Sequence, residues 1–200
     1  MLTRKMFRWV APTILCVAVA TPALADGNAN FNLGRRALDK DFWEPVEEHG
    51  VFGVTVDFGA EDWPINLEAG SQLSGAQEEE FDFFLASDVE VTAAIVEFNF
   101  GVNKTWKPKG GIRPYIGGGL ASVGAAGEVD AGFFGDADDD DQSFGAYVHG
   151  GVFWRLGPRF NIGFDARALL GTEITLFGVE GDADYLQFGM LLGFGWPGSK

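Results

Sequence analysis

The sequence predicts an all-β fold, an eight-stranded antiparallel up-and-down transmembrane β-barrel, on three observations. Large apolar residues alternate with small or polar ones at period two in one segment after another, the mark of strands with two different faces. The connections between these segments alternate strictly between short and long, as in barrels whose turns emerge on opposite sides of a bilayer. No stretch after residue 25 holds the about 18 consecutive apolar residues of a spanning helix, since the longest candidate, 188–196, is broken by Gly189, Gly193 and Gly195.

At the N-terminus, Arg4, Lys5 and Arg8 precede an apolar run from Trp9 to Ala20, then Ala23-Leu24-Ala25. This order reads as a secretory signal peptide, residues 1–25, cleaved after Ala25 to leave one barrel domain, 26–200. Cys16, the one cysteine, falls inside that segment behind Ile14-Leu15, which lack the small residue that precedes a lipidated cysteine. The mature chain is thus expected to carry neither disulfide nor lipid anchor. The segment holds three basic residues and no acid, so the net charge of −15 becomes −18. A chain this acidic repels phosphate backbones, which excludes nucleic acid as a partner.

Strand one, 29–36, sets Phe31 and Leu33 against Asn32, Gly34 and Arg36. It is placed by the connections, since the strand ending at Phe58 runs into a short turn and an earlier strand must carry the chain to the long-loop side. In the next, Phe52, Val54, Val56 and Phe58 oppose Gly53, Thr55 and Asp57; segment 65–75 sets Ile65 and Leu67 against Asn66 and Glu68. Val96, Phe98, Phe100 and Val102 then oppose Glu97, Asn99, Gly101 and Asn103, and 112–124 is a strand rich in glycine around Gly117-Gly118-Gly119. Those glycines relieve crowding in a tightly bent wall; with no helix after them they form no phosphate loop. Segment 143–155 places Phe144, Ala146, Val148, Val152 and Trp154 opposite Ser143, Gly145, Tyr147, His149, Gly151 and Arg155. Segment 160–170 places Phe160, Ile162, Phe164, Ala166, Ala168 and Leu170 opposite Asn161, Gly163, Asp165 and Arg167. The last, 185–196, has Leu186, Phe188, Met190, Leu192, Phe194 and Trp196 on one face and Tyr185, Gln187, Gly189, Leu191, Gly193 and Gly195 on the other.

Short linkers fall at 60–63, 105–110 and 157–159, and long ones at 39–48, 76–88, 126–142 and 173–183. The long ones carry −4, −5, −7 and −3, whereas Lys104, Lys107, Lys109, Arg113, Arg155, Arg159 and Lys200 lie at or near the other end. A soluble barrel would turn its greasy face inward and cover its outside with Lys, Glu, Thr and Gln. The non-greasy face here is mostly Gly and Asn with a few charges, which suits a crowded interior. Aromatics also mark both ends, with Trp106, Trp154, Trp196 and Phe160 near the short turns and Trp43, Phe81, Phe83, Phe84, Phe133 and Phe134 near or in the long loops, as interfacial girdles require.

Through Ile112-Arg113-Pro114-Tyr115-Ile116-Gly117-Gly118-Gly119-Leu120 and the alternating final strand 185–196, the mature chain resembles the OmpA/OmpX-like superfamily of outer-membrane β-barrels. It differs at the end, where Pro197-Gly198-Ser199-Lys200 follow the last aromatic, too few for a peptidoglycan-binding domain. The resemblance implies the outer membrane, periplasmic termini, four loops outside, lipid and lipopolysaccharide as surroundings, the barrel assembly machinery as a partner, and a monomer.

The inward face collects Arg36, Asp57, Glu68, Glu97, Tyr147, His149, Asp165, Arg167 and Gln187. Charges in a narrow lumen are costly unless paired, so these residues read as a network that plugs the barrel, with a narrow ion or small-solute path as the alternative. Arg167 is expected to pair with Asp165 or Glu97. Asp136, Asp138, Asp139, Asp140 and Asp141 begin like a calcium loop, but Asp141 stands where Gly is needed and Tyr147 where Glu is needed. The plain reading is a flexible, solvated loop; the sharper one is weak Ca2+ or Mg2+ binding that bridges to lipopolysaccharide phosphates. No other cofactor is expected. Lipid A chemistry would need a His beside a hydroxyl: His149 has no Ser two residues on, and His49 has only a distant rim partner in Ser87-Asp88. The chain is therefore expected to be non-enzymatic, a structural or surface-interaction protein, with a lipid A-modifying enzyme the remotest alternative.

Overall fold

The computed structural model describes residues 26–60, 63–82, 87–108, 111–130 and 135–196, with backbone alone for 80–82, 87, 88 and 136. The proposed signal peptide with Cys16, and the tail 197–200, lie outside these residues. Ten strands and one short helix follow in order: β1 Asp26–Leu38, α1 Lys40–Trp43, β2 Glu48–Gly59, β3 Asn66–Asp82, β4 Ser87–Thr105, β5 Ile112–Asp130, β6 Asp136–Leu156, β7 Phe160–Leu170, β8 Ile174–Leu176, β9 Val179–Gly181 and β10 Tyr185–Trp196.

Eight of the strands close a barrel of antiparallel neighbours in chain order, β1 to β7 and then β10, which pairs back to β1. The two-stranded sheet β8–β9 is set into the connection between β7 and β10. The register fixes the barrel's dimensions. A walk from Asn28 passes Asp57, Glu68, Gly101, Gly119, Tyr147, Leu169 and Tyr185 and returns to β1 at Leu38, a shear of ten residues. Ten residues of rise spread over eight strand spacings tilt the strands by about 40° and leave an interior that side chains can fill.

The two faces divide as the alternation requires. Phe100, Leu120, Phe144, Phe164, Phe188 and Leu170 are each more than half exposed on the outer wall, while Asn, Gln, Arg, His and carboxylate side chains are buried within. An outer wall built of exposed Phe and Leu belongs in hydrocarbon. No helix among the described residues is long and apolar enough to cross a membrane; here strands make the crossing.

Two of the expected long loops are mostly strand. The β3–β4 ladder continues from Gly75↔Ala94 to Asp82↔Ser87, and the β5–β6 ladder from Ala121↔Gly145 to Asp130↔Asp136. Residues 76–82 with 87–88, and 126–130 with 136–142, are thus ladders that rise past the ends of β2 and β7, because inter-strand hydrogen bonds satisfy the backbone even where acidic side chains make the pattern look loop-like. Close approach accounts for the glycine run. A Cβ on Gly119 would collide with the carbonyl of Phe100, and one on Gly117 with the ring of His149.

Replacing Phe100 by Lys places a cation on the lipid face of a central wall position. It is expected to lower unfolding stability in lipid vesicles by about 2–4 kcal/mol, read from urea titration, whereas a soluble barrel would tolerate the change.

Candidate functional site

The lumen holds stacked layers of side chains. Nearest the long-loop end is an apolar roof of Leu38, Trp43, Val46, Ile95, Val123, Leu169, Ile174 and Leu176. Trp43 reaches it from α1, whose N-cap Asp39 accepts from the Asp41 N–H at 2.9 Å. Its indole N–H donates to the Asp182 carbonyl at 2.7 Å, and its ring meets His49 edge-on. Trp43 is therefore part of the roof and not of an outer aromatic girdle. Of the other aromatics expected there, Phe83, Phe84, Phe133 and Phe134 lie outside the described residues, as does the side chain of Phe81.

Beneath the roof, Glu97 sits between two guanidiniums. Arg36 Nη2 lies 3.3 Å from Glu97 Oε2, and Arg167 Nη2 donates to Glu97 Oε1. The Tyr185 hydroxyl donates to Glu97 Oε2 at 2.5 Å and accepts from Arg167 Nε at 2.9 Å. Arg36 also donates to Gln72 at 3.0 Å, Ser74 at 3.2 Å and Gln187 at 3.1 Å. Each guanidinium lies over an aromatic ring, Arg36 on Tyr185 at 3.6 Å and Arg167 on Tyr147 at 3.9 Å. The surplus cation is thus spread over amide oxygens, a hydroxyl and ring faces.

Tyr147 links this layer to the next by donating to Glu68 Oε1 at 3.0 Å; its path is clear because a Cβ on Gly101 would come within 2.5 Å of its hydroxyl. His149 stands between two carboxylates, Nε2 at 3.0 Å from Glu68 and Nδ1 at 3.2 Å from Asp165. Carboxylates at both nitrogens suit the imidazolium, which donates to each. Asn103 also donates to Glu68 at 2.9 Å, and the Tyr115 hydroxyl to Asp165 at 2.5 Å. Asp165 belongs to this layer and not to Arg167, whose carboxylate is Glu97. Asp57 lies lower still, accepting from Asn28 at 3.0 Å and Asn66 at 3.1 Å. The void beside His149 and Asp165 measures about 20 Å³, room for about one water.

All nine lumen residues singled out in the sequence are buried within the barrel. The network read from the sequence does not include Tyr115, Tyr185, Gln72, Ser74, Asn103, Asn28 and Asn161, although most share the inward parity. His49 is buried and contacts Ser74 Oγ through Nδ1 at 3.2 Å. The side chains of Ser87 and Asp88, its expected rim partners, lie outside the described residues. Ser74, itself 2% exposed, accepts from Arg36.

At the acidic end, Asp138–Asp141 are strand residues, two of which hold the next connection. Asp139 accepts from the Phe177 N–H and Asp141 from the Thr175 N–H, both at 2.7 Å, so the run pins the β8–β9 hairpin and is not a free solvated loop. Asp184 secures the hairpin's base through the N–H groups of Gly171 and Thr172, each at 2.9 Å. Across the same end, a backbone N–H and the Lys40 ammonium at 3.3 Å hold the Glu47 carboxyl below its ordinary range. Among the described residues no three His, Cys, Asp or Glu side chains converge as metal ligands; the Asp136 side chain is not among them.

A shear of ten, a charged and amide-lined interior and an apolar outer wall define a small transmembrane β-barrel. Its fold matches solved outer-membrane barrels at low sequence identity. Ail, the attachment invasion locus protein of Yersinia pestis, crystallised with the heparin analogue sucrose octasulfate, superposes with a TM-score of 0.58 at 9% identity, covering 86% of this chain and 99% of that one. OprG of Pseudomonas aeruginosa gives 0.55 at 12% identity, covering 87% and 95%. A major outer membrane protein from Thermus thermophilus gives 0.59 at 8% identity, covering 86% and 99%. No protein-family model and no curated protein matches the sequence.

Glu97→Gln, which leaves two buried guanidiniums without their carboxylate, is expected to lower the unfolding free energy in urea by about 3–5 kcal/mol, and Arg167→Met, which leaves Glu97 paired with Arg36, by less. The double variant should cost clearly less than the two together, and additivity would refute the coupling. Asp139→Ala and Asp141→Ala should raise amide hydrogen exchange at Phe177 and Thr175 by about tenfold or more, with β5 amides unchanged.

Proposed function

We propose that this chain is a non-enzymatic protein of the bacterial outer membrane, with a plugged lumen and an acidic outward end that makes the surface contacts. The observation that carries this reading is the Arg36–Glu97–Arg167–Tyr185 layer, buried on all sides under the apolar roof that Trp43 completes. An ion crossing it would have to displace charge-assisted hydrogen bonds and then pass a dry layer, both unfavourable. Short turns facing the periplasm would put both ends of the barrel there, after cleavage of residues 1–25 and insertion by the barrel assembly machinery as a monomer.

The outer end differs in sign from what a polyanion binder needs. Ail was crystallised with a sulfated sugar, but the four long connections here carry only net negative charge. Their contacts are therefore with cationic surfaces, or with lipopolysaccharide through Ca2+ or Mg2+ held loosely between phosphates and carboxylates.

The outer-membrane fraction should contain a species whose mobility on an SDS gel changes on boiling, and the purified barrel should give no unitary steps in planar bilayers. Recovery from soluble periplasm would overturn the location, and steady conductance would favour the channel. Lipid A mass spectra unchanged by gene deletion would agree with a non-enzymatic role; a lost modification would reverse it.

A further inference from the structure

We infer that the short-turn mouth of the barrel is an anion site for a phosphate-type oxyanion, either free phosphate or the phosphate of a lipid headgroup. A cavity of about 420 Å³ opens there, and Lys104, Lys107, Arg113 and Arg155 all line it. Its two described acids are already engaged: Asp26 is 3.0 Å from the Lys107 ammonium, and Asp57 is held by Asn28 and Asn66. Glu61 and Asp62 of the adjoining turn lie outside the described residues and do not enter this count. Arg113 repels Arg155, and Asp57 and Asp26, which attract Arg155, offset this only in part, so an anion interposed between the guanidiniums relieves the remainder.

A second observation is independent of charge. Arg155 Nε and Trp196 Nε1 are both buried donors with no acceptor among the described residues, and both residues line the cavity. Buried donors without partners are rare and costly. Arg155 is held across the mouth by its 2.5 Å hydrogen bond from Nη2 to Asn28 Oδ1, and a side chain at position 195 would collide with its guanidinium, so Gly195 keeps its place clear. Donors come from β4, β5, β6 and β10, that is, from several directions. A tetrahedral oxyanion presents acceptors in several directions, whereas a carboxylate offers two coplanar oxygens. Trp63 and Trp106, each about half exposed at this end, mark the depth of lipid headgroups.

The test uses refolded full-length barrel in maltoside micelles, which contain no phosphate, and follows the side-chain N–H resonances of Arg155 Nε and Trp196 Nε1 by NMR. The probes are inorganic phosphate and dihexanoyl phosphatidylglycerol, with chloride matched for ionic strength. A saturable shift of both resonances at millimolar probe, weakened about tenfold by Arg113→Ser, supports the site. Response to inorganic phosphate assigns a free anion, and response to the lipid alone assigns a headgroup. If Arg113→Ser loses the heat-dependent gel shift of a folded barrel, Lys104→Ser, with its cation at the rim, takes its place. No shift beyond the chloride control, or undiminished binding by a folded variant, overturns the inference.

Discussion

One carboxylate organises the interior. Glu97 receives Arg36 from β1, Arg167 from β7 and Tyr185 from β10, so strands far apart in sequence meet at a single side chain on β4. Replacing buried ion pairs with apolar residues often costs nothing in stability, so net stabilisation is a weak account of this arrangement. Register is the stronger one. Side chains alternate with period two, so a one-residue slip of β4 would turn Glu97 toward lipid and leave two guanidiniums facing each other. The network thereby penalises misregistered closure far more than it rewards the correct one.

Closure in turn shapes what can lie above and below the charged layer. A shear of ten in an eight-stranded wall leaves little room inside, and glycine at 101 and 117 supplies space for Tyr147 and His149. At the long-loop end the interior becomes apolar, and Trp43 enters from a single helical turn to complete the roof. At the short-turn end the barrel opens instead into a cavity of about 420 Å³. Among the described residues the interior is thus apolar toward one end and polar, with a cavity, toward the other.

The strand count, the facing of each strand and the charged lumen residues could be read from the sequence because lipid on one side and a crowded lumen on the other enforce period two. Partnering was less legible. Arg167 could have met Asp165 on its own strand or Glu97 across the barrel, and only the shear places β4 opposite β7. Tyr185 and Tyr115 each donate a 2.5 Å hydrogen bond to a buried carboxylate, a partnering that inward parity alone does not reveal. Trp43 resembled an interfacial aromatic because its inward turn depends on α1, four residues with no amphipathic period to read.

The acidic end shows why charge runs mislead. Asp138–Asp141 look like a solvated loop because carboxylates repel one another and favour water, and no pairwise rule along the chain shows what lies beside them. The fourth connection changes that. The β8–β9 hairpin is too short to hold itself, and its backbone N–H groups need acceptors. Alternate aspartates on β6 supply them at two-residue spacing, matching Thr175 and Phe177. The aspartates that face the hairpin anchor it, while Asp140 between them remains exposed. One acidic strand can therefore secure the outermost hairpin and still present negative charge to the surroundings, because its alternating positions serve the two purposes separately.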